Sequence, residues 1–100
     1  MKAIWKDTII AEAPTNELIR IEGNWYFPPQ AVRKEYLEPS DHHTICPWKG
    51  DAGYFDVVVN NKRSEFGAWY YSAPKTSAIE RVGKDFSNYI AFWNGIEVIE

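Results

Sequence analysis

Hydrophobic and polar positions alternate in short runs separated by turn chemistry, the pattern of a chain built mainly from strands. "AIW" (3–5) and "TIIAEA" (8–13) flank Lys6-Asp7, a polar pair suited to a tight hairpin turn. "ELIRIE" (17–22) sets Ile19 and Ile21 against Arg20 and Glu22, the period-two pattern of a half-buried strand. Gly23-Asn24 supplies a turn before "WYF" (25–27), which is expected to pair back as the next strand. "PPQAVRKEYLEPS" (28–40) is the best helix candidate. Pro29 suits a first turn, Val32 and Tyr36 share a face with Leu37 beside them, and Pro39 stops the continuation. Such a helix makes about two turns and needs a sheet to dock on.

The next stretch, "DHHTICPWKGDAGYFDVVV" (41–59), gathers both histidines, the only cysteine and a lysine in front of a strand. It reads as a loop, "HTICPWKG", feeding the strand "YFDVVV" (54–59), which "NNKRSE" ends with Lys62-Arg63 in the turn. "FGAWYYS" (66–72) is the returning strand. "PKTSAIERVG" (74–83) predicts a short helix, with Ala78 and Val82 on one face and Gly83 as its C-cap. "NYIAFW" (88–93) and "IEVIE" (96–100) surround Asn94-Gly95, the favoured two-residue hairpin turn. No repeat, linker or low-complexity segment interrupts this order. The pattern predicts one mainly-β domain over 1–100, with one or two short helices laid on it.

Composition narrows the classes without naming one. One hundred residues, 45% hydrophobic and 25% charged, suit a single globular core. The aromatic share, 16% with five Trp and six Tyr, supplies large buried area per residue and equally good walls for a ligand. Eleven Lys and Arg against 14 Asp and Glu give a net charge of −3 with no basic stripe, which argues against nucleic acid as a partner. A single cysteine excludes an internal disulfide and any zinc site built on several thiolates. "MKAIWKDTII" lacks the apolar core of a signal peptide, and no run approaches membrane-spanning length, so a cytoplasmic protein without membrane contact is expected.

Several long strings carry a resemblance. "RIEGNWYFPPQAV" (20–32), "YLEPSDHHTICPWKGDAGYFDV" (36–57), "GAWYYSAPKTSA" (67–78) and "YIAFW" (89–93) together resemble the family of domain of unknown function 427 along nearly the whole chain. The resemblance implies a small, mainly-β, cytosolic bacterial domain, similar in outline to the β-tent folds. Many β-tent proteins hold zinc with paired cysteines; this chain has no such pair, and neither a metal nor another cofactor is expected. A nucleotidyltransferase label is sometimes attached to such sequences. That chemistry needs a loop of backbone N–H groups for phosphates and carboxylates for Mg²⁺. The six glycines are scattered and no paired acidic motif stands out.

Candidate chemistry concentrates on Cys46, His43 and Lys49. A free thiol titrates near about 8.5, so it needs a helper to be a nucleophile at neutral pH. His43, three residues before, and Lys49, three after, are the available helpers, as proton partner and anion anchor. In an extended chain those odd offsets point to opposite faces, and only bends at Pro47 and Gly50 could bring the groups together. The plainer alternative is a buried, inert cysteine. His42 and His43 are adjacent and point apart on a strand, so sharing one metal ion is difficult. Candidate binding residues are Tyr26, Trp48, Tyr54, Trp69 and Tyr71 as ring walls, with Arg20 and Glu22 as directed polar contacts. Three functions follow from this set. One is a small-molecule-binding or enzymatic pocket. Another is a non-catalytic module presenting aromatic residues to a protein or sugar. The last is a packing role, for example in a homodimer.

Overall fold

The computed structural model describes residues 1–100, which form nine strands and one α-helix. β1 (Lys2–Trp5) and β2 (Thr8–Glu12) make a hairpin whose turn residues, Lys6 and Asp7, both take left-handed backbone (φ 51° and 59°). That mirror-image turn matches the twist of the flanking strands. β3 (Ile19–Ile21) and β4 (Asn24–Tyr26) form a second hairpin, turning at Glu22 and Gly23 (φ 53° and 81°). The turn therefore sits one residue earlier than Gly23-Asn24, and Asn24 opens the strand.

The long strands β5 (Leu37–Cys46), β6 (Gly50–Val59) and β7 (Lys62–Tyr71), with β8 (Ile90–Phe92), build a four-stranded antiparallel sheet in that order. β9 (Glu97–Ile99) pairs with β1, giving a three-stranded sheet β2-β1-β9. Phe27 and Ile90 exchange backbone hydrogen bonds of 2.8 and 2.9 Å, which ties the segment after β4 to β8. The helix α1 (Thr76–Val82) ends at Gly83, whose φ of 89° supplies the left-handed cap. No helix is long and apolar enough to cross a membrane.

β6, β7 and β8 pack on both faces of the four-stranded sheet while the edge strand β5 is mostly exposed, and strand alternation divides the packed residues between two cores. Phe55, Val57, Val59, Ala68 and Tyr70 turn to one face, where they meet Ile10, Phe27 and Phe92. Ala52, Tyr54, Trp69 and Tyr71 turn to the other, beneath Tyr26, Ala78 and Phe86. Neighbouring rings thus serve opposite cores: Tyr26 and Phe27, Tyr54 and Phe55, Trp69 and Tyr70. The chain is mainly β, as its alternation predicts.

Four local expectations change. Residues 28–40 form no α-helix; two 3-10 turns, Pro29–Ala31 and Lys34–Tyr36, lead straight into β5. Between them Val32 is extended and buried, bridging to Ala11, while the Arg33 N–H donates to the Ile10 carbonyl at 2.8 Å. Pairing with β2 satisfies this backbone and breaks the helical path. "HTIC" is not a loop but the end of β5, so only Pro47, Trp48 and Lys49 form the turn. Arg63 lies in β7 rather than in a turn, held by Asp56 at 2.6 Å and by Glu38 at 3.1 Å. Asn94-Gly95 is a tight turn (φ 52° and 93°) closed by Ile96 N–H to the Trp93 carbonyl at 3.2 Å, yet it joins no hairpin. The strands on either side enter different sheets.

Candidate functional site

Aromatic side chains from three elements surround one hollow. On β6 and β7 the pairs Tyr54–Trp69 and Ala52–Tyr71 stand opposite one another, so both rings of β7 and Tyr54 share a face. The β3–β4 hairpin lays Tyr26 across them. The Trp69 indole N–H donates to the Tyr26 hydroxyl at 3.0 Å, with the rings edge-to-face at 6.1 Å. Beneath them Phe86 packs edge-on to Tyr26 at 6.3 Å and to Tyr71 at 5.9 Å. Asn24 and Trp93 complete the rim of a cavity of about 280 Å³, whose lining is Asn24, Tyr26, Lys49, Tyr54, Trp69, Tyr71 and Trp93. Lys49 is the only charged residue in that lining.

The turn that delivers Lys49 is fixed on both sides. Its carbonyl accepts the Lys75 N–H at 2.9 Å, and the Lys75 ammonium reaches the Pro47 carbonyl at 2.6 Å. Gly50 has φ 119°, a backbone conformation that favours glycine. Lys49 is 5% exposed. Its ammonium donates to the Glu22 carboxylate and lies 5.2 Å from the Trp48 ring centre and 5.3 Å from that of Tyr71. Arg81 of α1 covers the same Trp48 ring at 4.5 Å.

Charges in this group are set by burial and by each other. Burial works against the Lys49 ammonium, but the Glu22 carboxylate and the two tyrosines outweigh it, and its pKa ends above the ordinary lysine value. The Lys49 hydrogen bond holds Glu22 below the usual carboxylate range, against a smaller opposing effect of burial. Burial pushes the Tyr71 phenol up to about 12 and raises Tyr26 as well. At neutral pH the hollow therefore presents an ammonium and neutral phenols.

The remaining candidates lie around this centre. Cys46 is half-buried against the same core as Tyr26 and Tyr71, but it does not line the cavity. β5 pairs in regular register from His43 to its end at Cys46, past an irregularity between Ser40 and His43, so alternation holds there: Thr44 and Cys46 turn to the cavity face, and His43, opposite Gly53, turns to the other. The bends at Pro47 and Gly50 come after the sulfur and do not bring His43 to it. Trp48 packs beside the cavity under Arg81, and Glu22, outside the lining, reaches the Lys49 ammonium from the β3–β4 turn. Arg20 sits apart, over the Trp25 ring at 5.0 Å.

Three contributors were not singled out by the sequence. Asn24 reads as a turn residue, and Phe86 lies in "KDFSNY" without periodic neighbours. Trp93 reaches the rim through a bulge in β7, where three residues oppose Asp56 alone. There Phe66 takes φ 56°, its N–H donates to Asp56 at 2.9 Å, and its carbonyl accepts the Trp93 indole N–H at 2.6 Å. His42 stacks on the Phe66 ring at 4.1 Å and meets Tyr54 at 4.7 Å, while Thr44 and Tyr54 share a hydroxyl hydrogen bond of 2.9 Å. A second hollow, of about 400 Å³, lies across the sheet between Pro29, Lys34, Phe55, Tyr70, Asn88 and Ile90. None of the candidates read from the sequence lines it.

No curated protein matches the chain. One family model does, over residues 1–99, and its description is "Domain of unknown function (DUF427)". Matched over all but its last residue, the chain belongs to the DUF427 family.

Proposed function

We propose that this protein is a small-molecule-binding domain whose ligand is about the size of a single ring and sits among Tyr26, Tyr54, Trp69, Tyr71 and Trp93. The observation that carries this reading is the convergence of five rings, an amide and one buried ammonium on one hollow of about 280 Å³. Flat rings offer stacking area, while Asn24 and Lys49 supply the few directed polar contacts that fix orientation. Binding fits this geometry better than covalent catalysis. Of the three reactive candidates only Lys49 lines the hollow, and an ammonium held above its ordinary pKa is a poor nucleophile.

A test follows from where the indoles stand. Titrating the ¹⁵N-labelled protein with benzenesulfonamide, an uncharged single-ring probe, should shift the indole N–H signals of Trp69 and Trp93 and leave that of Trp5 in place. Trp69→Ala should abolish the response. Uniform shifts of all five indoles, or none at saturating probe, would end the proposal.

A further inference from the structure

The unequal burial of Lys49 and Glu22 points to the chemical class of the ligand. The Lys49 side chain is 7% exposed and that of Glu22 54% exposed, although the two form one ion pair. Lys49 is confined: its turn is bound through its own carbonyl and that of Pro47, and its side chain is packed between the Trp48 and Tyr71 rings. Glu22 is not. Its side chain is half in solvent at a two-residue turn, and the exposed Arg81 guanidinium also attracts its carboxylate. An ammonium among rings needs an anion more than a solvated carboxylate needs an ammonium. Lys49 has three N–H donors and lines the cavity; Glu22 does not line it.

Building on the pocket reading above, we propose that the ligand is a small anionic ring compound whose acidic group binds the Lys49 ammonium, and that Glu22 is a tethered stand-in for that group, displaced toward Arg81 when the ligand enters. The protein's own carboxylate keeps the buried cation neutralised in the empty state. The ligand's affinity is the difference between its contacts and those Glu22 gives up.

The probes are benzenesulfonate, anionic at all working pH values, and its uncharged relative benzenesulfonamide. In low salt at pH 7, Glu22→Gln should bind benzenesulfonate about tenfold more tightly than the parent, because a competing charge near the ammonium has gone. Its affinity for benzenesulfonamide should change little. Within the unaltered protein, benzenesulfonate but not benzenesulfonamide should move the side-chain carboxyl ¹³C signal of Glu22, a measurement that does not depend on the variant folding. Equal or weaker benzenesulfonate binding by Glu22→Gln, or a Glu22 signal that stays fixed at saturation, would overturn the stand-in role. In that case benzenesulfonamide binding would leave the pocket itself standing. Absence of benzenesulfonamide binding would remove the pocket and, with it, this inference.

Discussion

Cutting the Lys49–Glu22 pair from either end leaves a different residue behind. Lys49→Met leaves Glu22, which is half in water already and simply solvates, and the new side chain meets Trp48 and Tyr71 as an apolar neighbour. Stability should stay within about 1 kcal/mol of the parent. Glu22→Gln leaves a buried ammonium without its counter-charge and should cost about 1–2 kcal/mol, solvent screening at the exposed carboxylate keeping the loss at the low end. Urea midpoints at pH 7 measure both. The sign with pH follows from the shifts. Glu22 is held below 4.5, so its contribution is present above that value and fades as pH falls through its lower native pKa. Lys49 is raised above 10.5, so its contribution is complete below that value and fades as pH climbs through its higher one. The gap between parent and Glu22→Gln should therefore be widest between these limits and close toward acid. Cys46 gives a second test at this scale. With His43 on the opposite face of β5, His43→Ala should leave the rate of Cys46 alkylation by iodoacetamide within about twofold, read by intact mass.

The β7 bulge shows how one irregular element can shape the rim of the hollow. A bulky residue with left-handed φ, such as Phe66, is unfavourable by itself and persists only where surrounding contacts over-determine it. Asp56 supplies two of them, accepting the Phe66 N–H and the Arg63 guanidinium, while Asn94 and Trp93 donate to the Glu65 and Phe66 carbonyls. Asp56→Ala should cost about 1–3 kcal/mol, shift the Trp93 indole signal, and weaken binding of the single-ring probe more than its stability loss explains. A probe affinity unchanged in a folded Asp56→Ala protein would show that Trp93 does not depend on the bulge. This element also marks the limit of what could be read in advance. Strand alternation, the turn pair Lys6-Asp7 and the helix ending at Gly83 are local, and local patterns reveal them, whereas the second hairpin turn, expected at Gly23-Asn24, falls one residue earlier at Glu22-Gly23. The partnership of Phe66, Asp56 and Trp93 is long-range, and no residue type announces it. The same holds for residues 28–40, where helical spacing was overruled by backbone pairing of Val32 and Arg33 with β2. Alternation alone puts Trp69 with Tyr71 on one face and separates His43 from Cys46. Lys49 stood out through "CPWKG", but its pairing with Glu22 depends on two hairpins meeting.

Across the whole molecule, the two cores are not independent layers, because they share a backbone. Every long strand of the central sheet sends alternate residues to each face, and the step from Tyr26 to Phe27 carries a single peptide bond from one core to the other. Loss of packing on one face removes the platform on which the other is built, so the chain should unfold as one cooperative unit. Val57→Ala tests this, since Val57 is fully buried in the core on the face opposite the hollow and is not part of the hollow's lining. A truncation of that kind should cost about 1–3 kcal/mol. Two signals report the two faces: the Trp69 indole, in the core under the hollow, and the Trp5 indole, in the core that contains Val57. If the sheet couples them, both lose native intensity at the same urea concentration in the parent, and Val57→Ala moves both midpoints equally with the slope of unfolding unchanged. Were the Trp5 signal to melt first while Trp69 stayed native, the hollow would rest on a separately stable unit. The hollow would then owe nothing to the opposite core.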